Sequence, residues 1–345
     1  MNQTLVTTLM STVHSELEEL IQYIYMIVYP IIFITGLIGN LLSSLLFSIT
    51  ELNQTSCGIY FLLLAIADSL ALIGGLHHCL TIGYRVIIHS VTYCRARNFI
   101  SYTSMDLASW MVVAISLDRY IKVKFPVKSR DYCTQKLAII VSCVLTFVLV
   151  LKNLHFTTKF IGNFAADASE HCGPNPKYPT YMSFFQNVWP WIDLAIFALL
   201  PFILITSCNI FIIYNLYKRR VQLGHRNLDR SVVKFLLISS ISFIICNFPV
   251  SITIVLYPYI SSNYGKKQSY DEIAFAFDIL RLPSYISLAF NFYLYYYSSS
   301  LFRRQAMLLF HRLFRIRSRV DQNQTPAVQR ICQEQNNSIE LSDER

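Results

Sequence analysis

The sequence predicts an all-α membrane protein: a seven-transmembrane helix bundle followed by a short amphipathic eighth helix on the inner leaflet. Three observations carry this. The 345 residues are 54% hydrophobic and only 14% charged, with a mean hydropathy of +0.43, whereas about a quarter of residues are charged in an average soluble domain. Seven apolar stretches reach the roughly 20 residues that cross about 30 Å of hydrocarbon as a helix. Lysine and arginine cluster after the third, fifth and seventh stretches, the pattern of cytoplasmic loops. The 22 tyrosines and 24 phenylalanines suit spans whose ends carry amphipathic rings at the headgroup level.

The spans run approximately Leu20 to Ile49, Cys57 to Ile82, Phe99 to Val123, Lys136 to Phe156, Phe184 to Tyr217, Val232 to Tyr259 and Ile273 to Tyr297. Residues 1–19 then form an extracellular N-terminal segment, 20–299 the bundle, 300–316 the amphipathic helix and 317–345 a disordered cytoplasmic tail. The loops after spans three and five and the segment after span seven hold 19 of the 29 Lys and Arg, while the segment before span one has none and carries Glu16, Glu18 and Glu19. Positive residues stay in the cytoplasm, so the N-terminus is expected outside. The first twenty residues lack the basic start and short apolar core of a cleaved signal, which leaves span one as its own insertion signal. The net charge of +9 flanks apolar spans at one face, so nucleic acid is excluded as a partner and membrane lipids are expected instead.

Polar residues inside the spans mark function. Asp68 in span two lies near mid-membrane, where a carboxylate is costly unless polar partners surround it. It either serves a site or, protonated, bonds helix to helix. Span three carries Cys94 at one end and Asp118-Arg119-Tyr120 at the other, 25 residues or about 37 Å apart, which is one membrane crossing. That triplet reads as a switch at the cytoplasmic exit or as an interfacial anchor. Pro201 and Pro249 bend spans five and six. Asp229 lies twenty residues before Pro249, about 30 Å along a helix, within reach of Arg119 for an ion pair or exposed as a solvated charge.

These features, from "GLIGNLL" with Asn40 through "LAIADS", the Asp118-Arg119-Tyr120 triplet, Pro201 and "FIICNFP" to "NFYLY" and "SSSLFRR", resemble a rhodopsin-like (class A) G protein-coupled receptor over nearly the whole chain. The resemblance implies a plasma-membrane receptor that binds an extracellular ligand and activates a heterotrimeric G protein by outward movement of the sixth helix. Arrestin and a receptor kinase are further implied partners. It implies a Cys94–Cys172 disulfide and a polar pocket of Asn40, Asp68, Ser287 and Asn291 that holds Na⁺, although Ala108 stands where a serine commonly lines that pocket. Phe243, Asn247, Pro201 and Pro249 take the helix-bend and core-switch positions. Val127 matches the apolar residue that seats in the G protein, and Tyr295 is expected to turn inward on activation. No other cofactor is implied.

Departures bear on the ligand. Ser101 stands where amine receptors carry Asp, and Tyr285 where light-sensing relatives carry Lys. Asn247 replaces a Trp, Phe292 a Pro and Asn209 a Tyr; spans two and four lack their usual Pro and Trp, and Lys152 sits near the outer end of span four. Similar changes occur in neuropeptide receptors. Asp106 and Asp193 are expected to approach each other, and two such acids resist ionising together unless they share a proton or a cation intervenes. With Glu16, Glu18, Glu19, Asp271, Glu272 and Asp278 around the rim, a basic peptide whose cation enters between Asp106 and Asp193 is the expected ligand. Asn2 is the expected glycosylation site. A transporter, a channel or a non-signalling decoy are the alternatives, but no internal repeat appears. The spans hold neither a metal-ligand cluster nor a paired nucleophile and base, so an enzyme is not expected.

Overall fold

The computed structural model describes residues 15–86, 88–163, 171–223, 238, 241–243, 245–256, 268–298 and 300–313. Five helices among them are long and apolar enough to cross a membrane: α1 (Ser15–Ile49), α2 (Ser56–Gly83), α3 (Val91–Lys124), α4 (Gln135–Thr157) and α5 (Trp189–Lys218). The sixth, α6, is described over Ile241–Leu256. The seventh, α7 (Gln268–Ser298), has 31 residues, about 46 Å at 1.5 Å per residue. Asn2, Asp229 and residues 317–345 lie outside the described residues.

Local chemistry sets the helix starts. Thr55 Oγ1 accepts from the Gly58 N–H at 3.0 Å, Ser90 Oγ from Tyr93 N–H at 3.3 Å and Thr134 Oγ1 from Leu137 N–H at 3.3 Å. Each cap satisfies a backbone donor that the first helical turn would otherwise leave bare, typically worth about 1 kcal/mol. Proline shapes the interiors. A widened π-helical turn, Ile24–Val28, lies directly ahead of Pro30, and another, Leu194–Leu199, ahead of Pro201. In each, the residue before the proline donates its N–H five residues back, Tyr29 to Ile24 and Leu200 to Ala195. The proline itself brings no N–H, and the wide turn makes room for its ring. Pro283 inside α7 adds a proline to the two bends expected from the sequence.

Small residues bring the helices together. Gly36 of α1 sits where a Cβ would meet Ala289 Cβ of α7 at 2.6 Å and Leu72 of α2 at 2.8 Å, so only glycine admits this approach of three helices. Tyr29 Oη donates across the same junction to Leu72 O at 2.7 Å. Ala138, Ser142, Leu149 and Asn153, the buried residues of the regular part of α4, fall on one stripe at helical spacing. Ile140, Val144, Phe147 and Val148 on its other faces are exposed, as a lipid-facing helix requires.

At the Cys94 end of α3 a short hairpin pairs β1 (Ile161–Asn163) antiparallel with β2 (His171–Pro174). Its Gly162 takes φ +88°, a left-handed conformation that side chains resist. A disulfide joins Cys172 of this hairpin to Cys94 of α3, with Cα atoms 5.6 Å apart, as the resemblance implied. Beneath it Cys94, Phe156, Ile161 and Trp189 form a buried cluster. Trp189 stands edge-on to Phe156 at 5.3 Å between centroids, a geometry worth about 0.5–1.5 kcal/mol beyond area burial.

This cluster corrects the expected start of span five. Phe184 belongs to a separate short helix, Pro179–Asn187, and the chain breaks at Val188 before α5 begins at Trp189. Apolar continuity hid the break, which the burial of Trp189 and the following Pro190 impose. The segment Ser300–Leu313 forms a unit of its own, a helix on which Phe302, Ala306 and Leu309 share a buried face and Arg304 is exposed.

Candidate functional site

A cavity of about 230 Å³ at the disulfide end of the bundle is lined by residues of α2, α3, α4, α5, α6 and α7 and by Cys172. Ser101, Asp106 and Asp193, three of the four expected ligand contacts, are on its wall. Asp278 is not among the lining residues; its backbone carbonyl accepts from Tyr25 Oη at 2.9 Å. Ser101 Oγ is buried without a hydrogen-bond partner among the described residues.

Asp106 and Asp193 do converge on a cation, but the cation is the protein's own. Lys152 Nζ lies 2.9 Å from Asp106 Oδ2 and 2.9 Å from Asp193 Oδ1, and Asn153 Nδ2 donates to Asp106 Oδ2 at 2.8 Å. The ammonium also stands 4.9 Å from the Trp189 ring centroid. This overturns the expected insertion of a ligand cation between the acids, because the place is filled. The misplaced lysine of span four and the two acids are a single buried group, whose partners offset most of the cost of taking charge out of water.

The charges facing the rest of the cavity are positive. Arg97 and Arg281 both line it, with His78. Arg281 Nη1 lies 2.8 Å from His78 Nδ1, and its guanidinium stacks 3.8 Å from the Phe277 ring centroid. Arg97 donates from Nη2 to Asn98 Oδ1 at 2.5 Å and to Cys172 Sγ at 3.4 Å. Its Nε is buried without a partner among the described residues.

Deeper, Asp68 is fully buried and its Oδ2 accepts from Asn291 Nδ2 at 2.6 Å, while Oδ1 has no hydrogen-bond partner among the described residues. A small cavity of about 30 Å³ adjoins it, lined also by Ala108, Ser109, Asn247, Ser287 and Asn291. Asn40 stands apart from the expected set: its amide donates to Leu288 O at 3.2 Å and it is not on this wall. Asn247, in the place of the expected Trp, turns its Nδ2 back to Phe243 O at 3.2 Å. Phe243 itself packs with Val113 and Ile205.

At the opposite end Asp118 and Arg119 meet different residues of α2. Asp118 Oδ1 accepts from Ser56 Oγ at 2.5 Å and Oδ2 pairs with Lys122 at 2.8 Å. The Arg119 guanidinium lies 6.0 Å from the Phe61 ring centroid. Its expected partner Asp229 falls outside the described residues. Tyr120 Oη accepts from Lys124 at 2.7 Å. Val127 is 79% exposed. Tyr295 is buried against α1 and α2, 6.4 Å from Phe47 and 4.7 Å from Phe61 between ring centroids.

Residues 39–295 match the family described as the 7 transmembrane receptor (rhodopsin family). The chain belongs to the rhodopsin family. It is 24% identical over 220 residues to the lysophosphatidic acid receptor 6 of Gallus gallus, covering 61% of this chain and 68% of that one. To the lysophosphatidic acid receptor 6 of Homo sapiens it is 26% identical over 170 residues, 48% of each chain. A probable G-protein coupled receptor of Caenorhabditis elegans is 23% identical over 219 residues, 59% of this chain and 49% of its own. The chain thus spans about half the length of the human and nematode relatives.

Reasoning from sequence missed the basic wall of this rhodopsin-family receptor. The signal was there: Arg97, His78 and Arg281 are ionisable residues near the outer ends of apolar spans, where the distribution of positive charge along the chain gives no reason for them. As a rhodopsin-family chain, the protein is a multi-pass membrane receptor and not an enzyme. Among the described residues no group of histidines, cysteines or acids is arranged to hold a metal ion.

Proposed function

We propose that this receptor binds an extracellular ligand through an anionic group held by Arg97 and Arg281, and activates a heterotrimeric G protein when α6 swings outward and uncovers Arg119. The observation that carries the ligand reading is the pair of guanidinium groups lining the cavity, beside two acids already bridged by Lys152. A guanidinium in a narrow, low-dielectric cavity is costly without an anion, and its fork of donors fits phosphate or carboxylate. A basic peptide, the ligand expected from sequence, loses the anchor on which it rested. Relatives named for lysophosphatidic acid, an anionic lipid, support the same chemistry.

The receptor is read as a plasma-membrane protein with its N-terminus outside and its cytoplasmic face open to arrestin and a receptor kinase. The Asp68 cavity fits a sodium ion: it offers an unpartnered carboxylate oxygen, hydroxyl and amide groups, and about 30 Å³. Asp68, Ser287 and Asn291 would hold the ion, which would supply a positive charge that favours the resting state.

A G protein dissociation assay in cells tests this, with lysophosphatidic acid, fatty acids, acidic peptides and cationic peptides as probes. An anionic probe is expected to act, and Arg97→Gln or Arg281→Gln to weaken it at least tenfold, the usual scale for one charge-assisted hydrogen bond. A response to cationic peptides alone, unchanged in both variants, would overturn the ligand reading. A response that survives Arg119→Ala at equal surface expression would overturn the coupling route.

A further inference from the structure

One sizeable cavity lies outside the ligand pocket and meets the switch residues only at Asp118. Of about 530 Å³, it runs along the flank of the bundle between α3 and α4, with Leu204 of α5 at one side. Leu117, Ile121, Val141 and Leu145 make its wall apolar. Leu117 is 38% exposed and Leu137 36%, so the groove opens sideways, where a membrane-spanning helix meets hydrocarbon.

Its length and its two ends specify the occupant. Trp110 closes one end, fixed by donation from Nε1 to Ile196 O of α5 at 3.1 Å. From Trp110 to Ile121 the wall follows α3 for about 16 Å, half of the roughly 30 Å of hydrocarbon and so the depth of a single leaflet. At the other end Lys128 and Tyr132 are exposed on the rim, within the lysine-rich loop that follows α3. The acid on this wall, Asp118, is already engaged by Ser56 and Lys122. An ammonium and a phenol at the headgroup level, above an apolar slot one leaflet deep, match an anionic headgroup and its tail. We propose that this groove binds one acyl chain of an anionic phospholipid from the leaflet at the Lys128 end, with the headgroup on Lys128 and Tyr132.

The test uses the full-length receptor in lipid nanodiscs of phosphatidylcholine, doped with phosphatidylserine bearing a photoactivatable acyl chain. Adducts are mapped by peptide mass spectrometry. The phosphatidylserine probe is expected to label the segments 110–121 and 137–145 about fivefold more than a phosphatidylcholine probe with the same chain, the scale of one lysine acting on an anionic headgroup. Lys128→Glu should bring the two probes level. Val141→Trp, which fills the slot, should remove labelling by both while thermal stability is retained. Equal labelling by the two headgroups in the unaltered receptor, labelling there by a photoactivatable sterol instead, or labelling unmoved by both variants would overturn the proposal.

Discussion

Lys152 ties α3 to α5 through α4, its ammonium 2.9 Å from an oxygen of Asp106 and 2.9 Å from an oxygen of Asp193. Three charges buried together are stable as a set and fragile in parts. Lys152→Met, of similar length, is expected to cost about 3–5 kcal/mol, because it leaves two carboxylates without a cation. The loss should read as a lower Tm of the detergent-purified receptor. The triple variant Asp106→Asn, Lys152→Met, Asp193→Asn should regain most of it. If the single variant melts with the unaltered receptor, the triad does not stabilise the bundle.

The hold on Asp118 comes from outside its own triplet. Ser56 Oγ at 2.5 Å and Lys122 at 2.8 Å bind the carboxylate, which fixes the C-terminal end of α3 against α2. A hydrogen bond to a charged group contributes about 1.5–3 kcal/mol, enough to move a nearly balanced two-state equilibrium tenfold or more. Asp118→Asn, and to a smaller degree Ser56→Ala, should raise G protein dissociation in the absence of ligand at matched surface expression. Unchanged basal signal in both would remove this contact from the switch.

The Cys94–Cys172 bridge closes a loop with a sequence separation of 78, for which the chain-entropy estimate is about 4.5 kcal/mol. It also anchors a hairpin above a cavity wall. Cys172→Ser is expected to reduce delivery to the cell surface sharply, and dithiothreitol applied to intact cells should lower ligand affinity in the unaltered receptor. Normal surface staining together with normal affinity would contradict this.

Gly36 tests how tightly the first, second and seventh helices meet. A Cβ there would lie 2.6 Å from Ala289 Cβ, so Gly36→Leu forces backbones apart, at the roughly 1–3 kcal/mol typical of overpacking. Gly36→Ala should do less, and Ala289→Gly should restore part of the loss. Thermal unfolding of the four proteins measures it.

Much of the architecture was legible because a bilayer demands long apolar runs and sorts lysine and arginine by side. The extents of α2 and α4 and the C-terminal ends of α1 and α3 follow from that demand to within a residue, whereas α1 starts five residues and α3 eight residues before the apolar runs do, α3 where Ser90 caps it. The break at Val188 was not legible, since Phe184 to Tyr217 reads as one oily stretch and only the packing of Trp189 against Phe156 divides it. At the outer site, two acids were rightly placed near each other. Their partner was not, because Lys152 is distant in sequence from both and a helical wheel of α4 alone does not say which neighbour it faces. The basic wall escaped for the same reason: Arg97 and Arg281 belong to different helices, and a shared cavity is a property of three dimensions.

The widened turn at Leu194–Leu199 has a consequence for the angular bookkeeping of α5. One surplus residue in a turn rotates everything upstream by about 100° relative to an unbroken α-helix. Asp193 therefore faces inward toward Lys152 although counting back from Ile205 by regular turns would point it elsewhere. Deleting one residue within that turn should therefore close it to a regular α-turn and leave the acid facing the triad, whereas tightening the turn without a deletion should swing Asp193 away by about 100°.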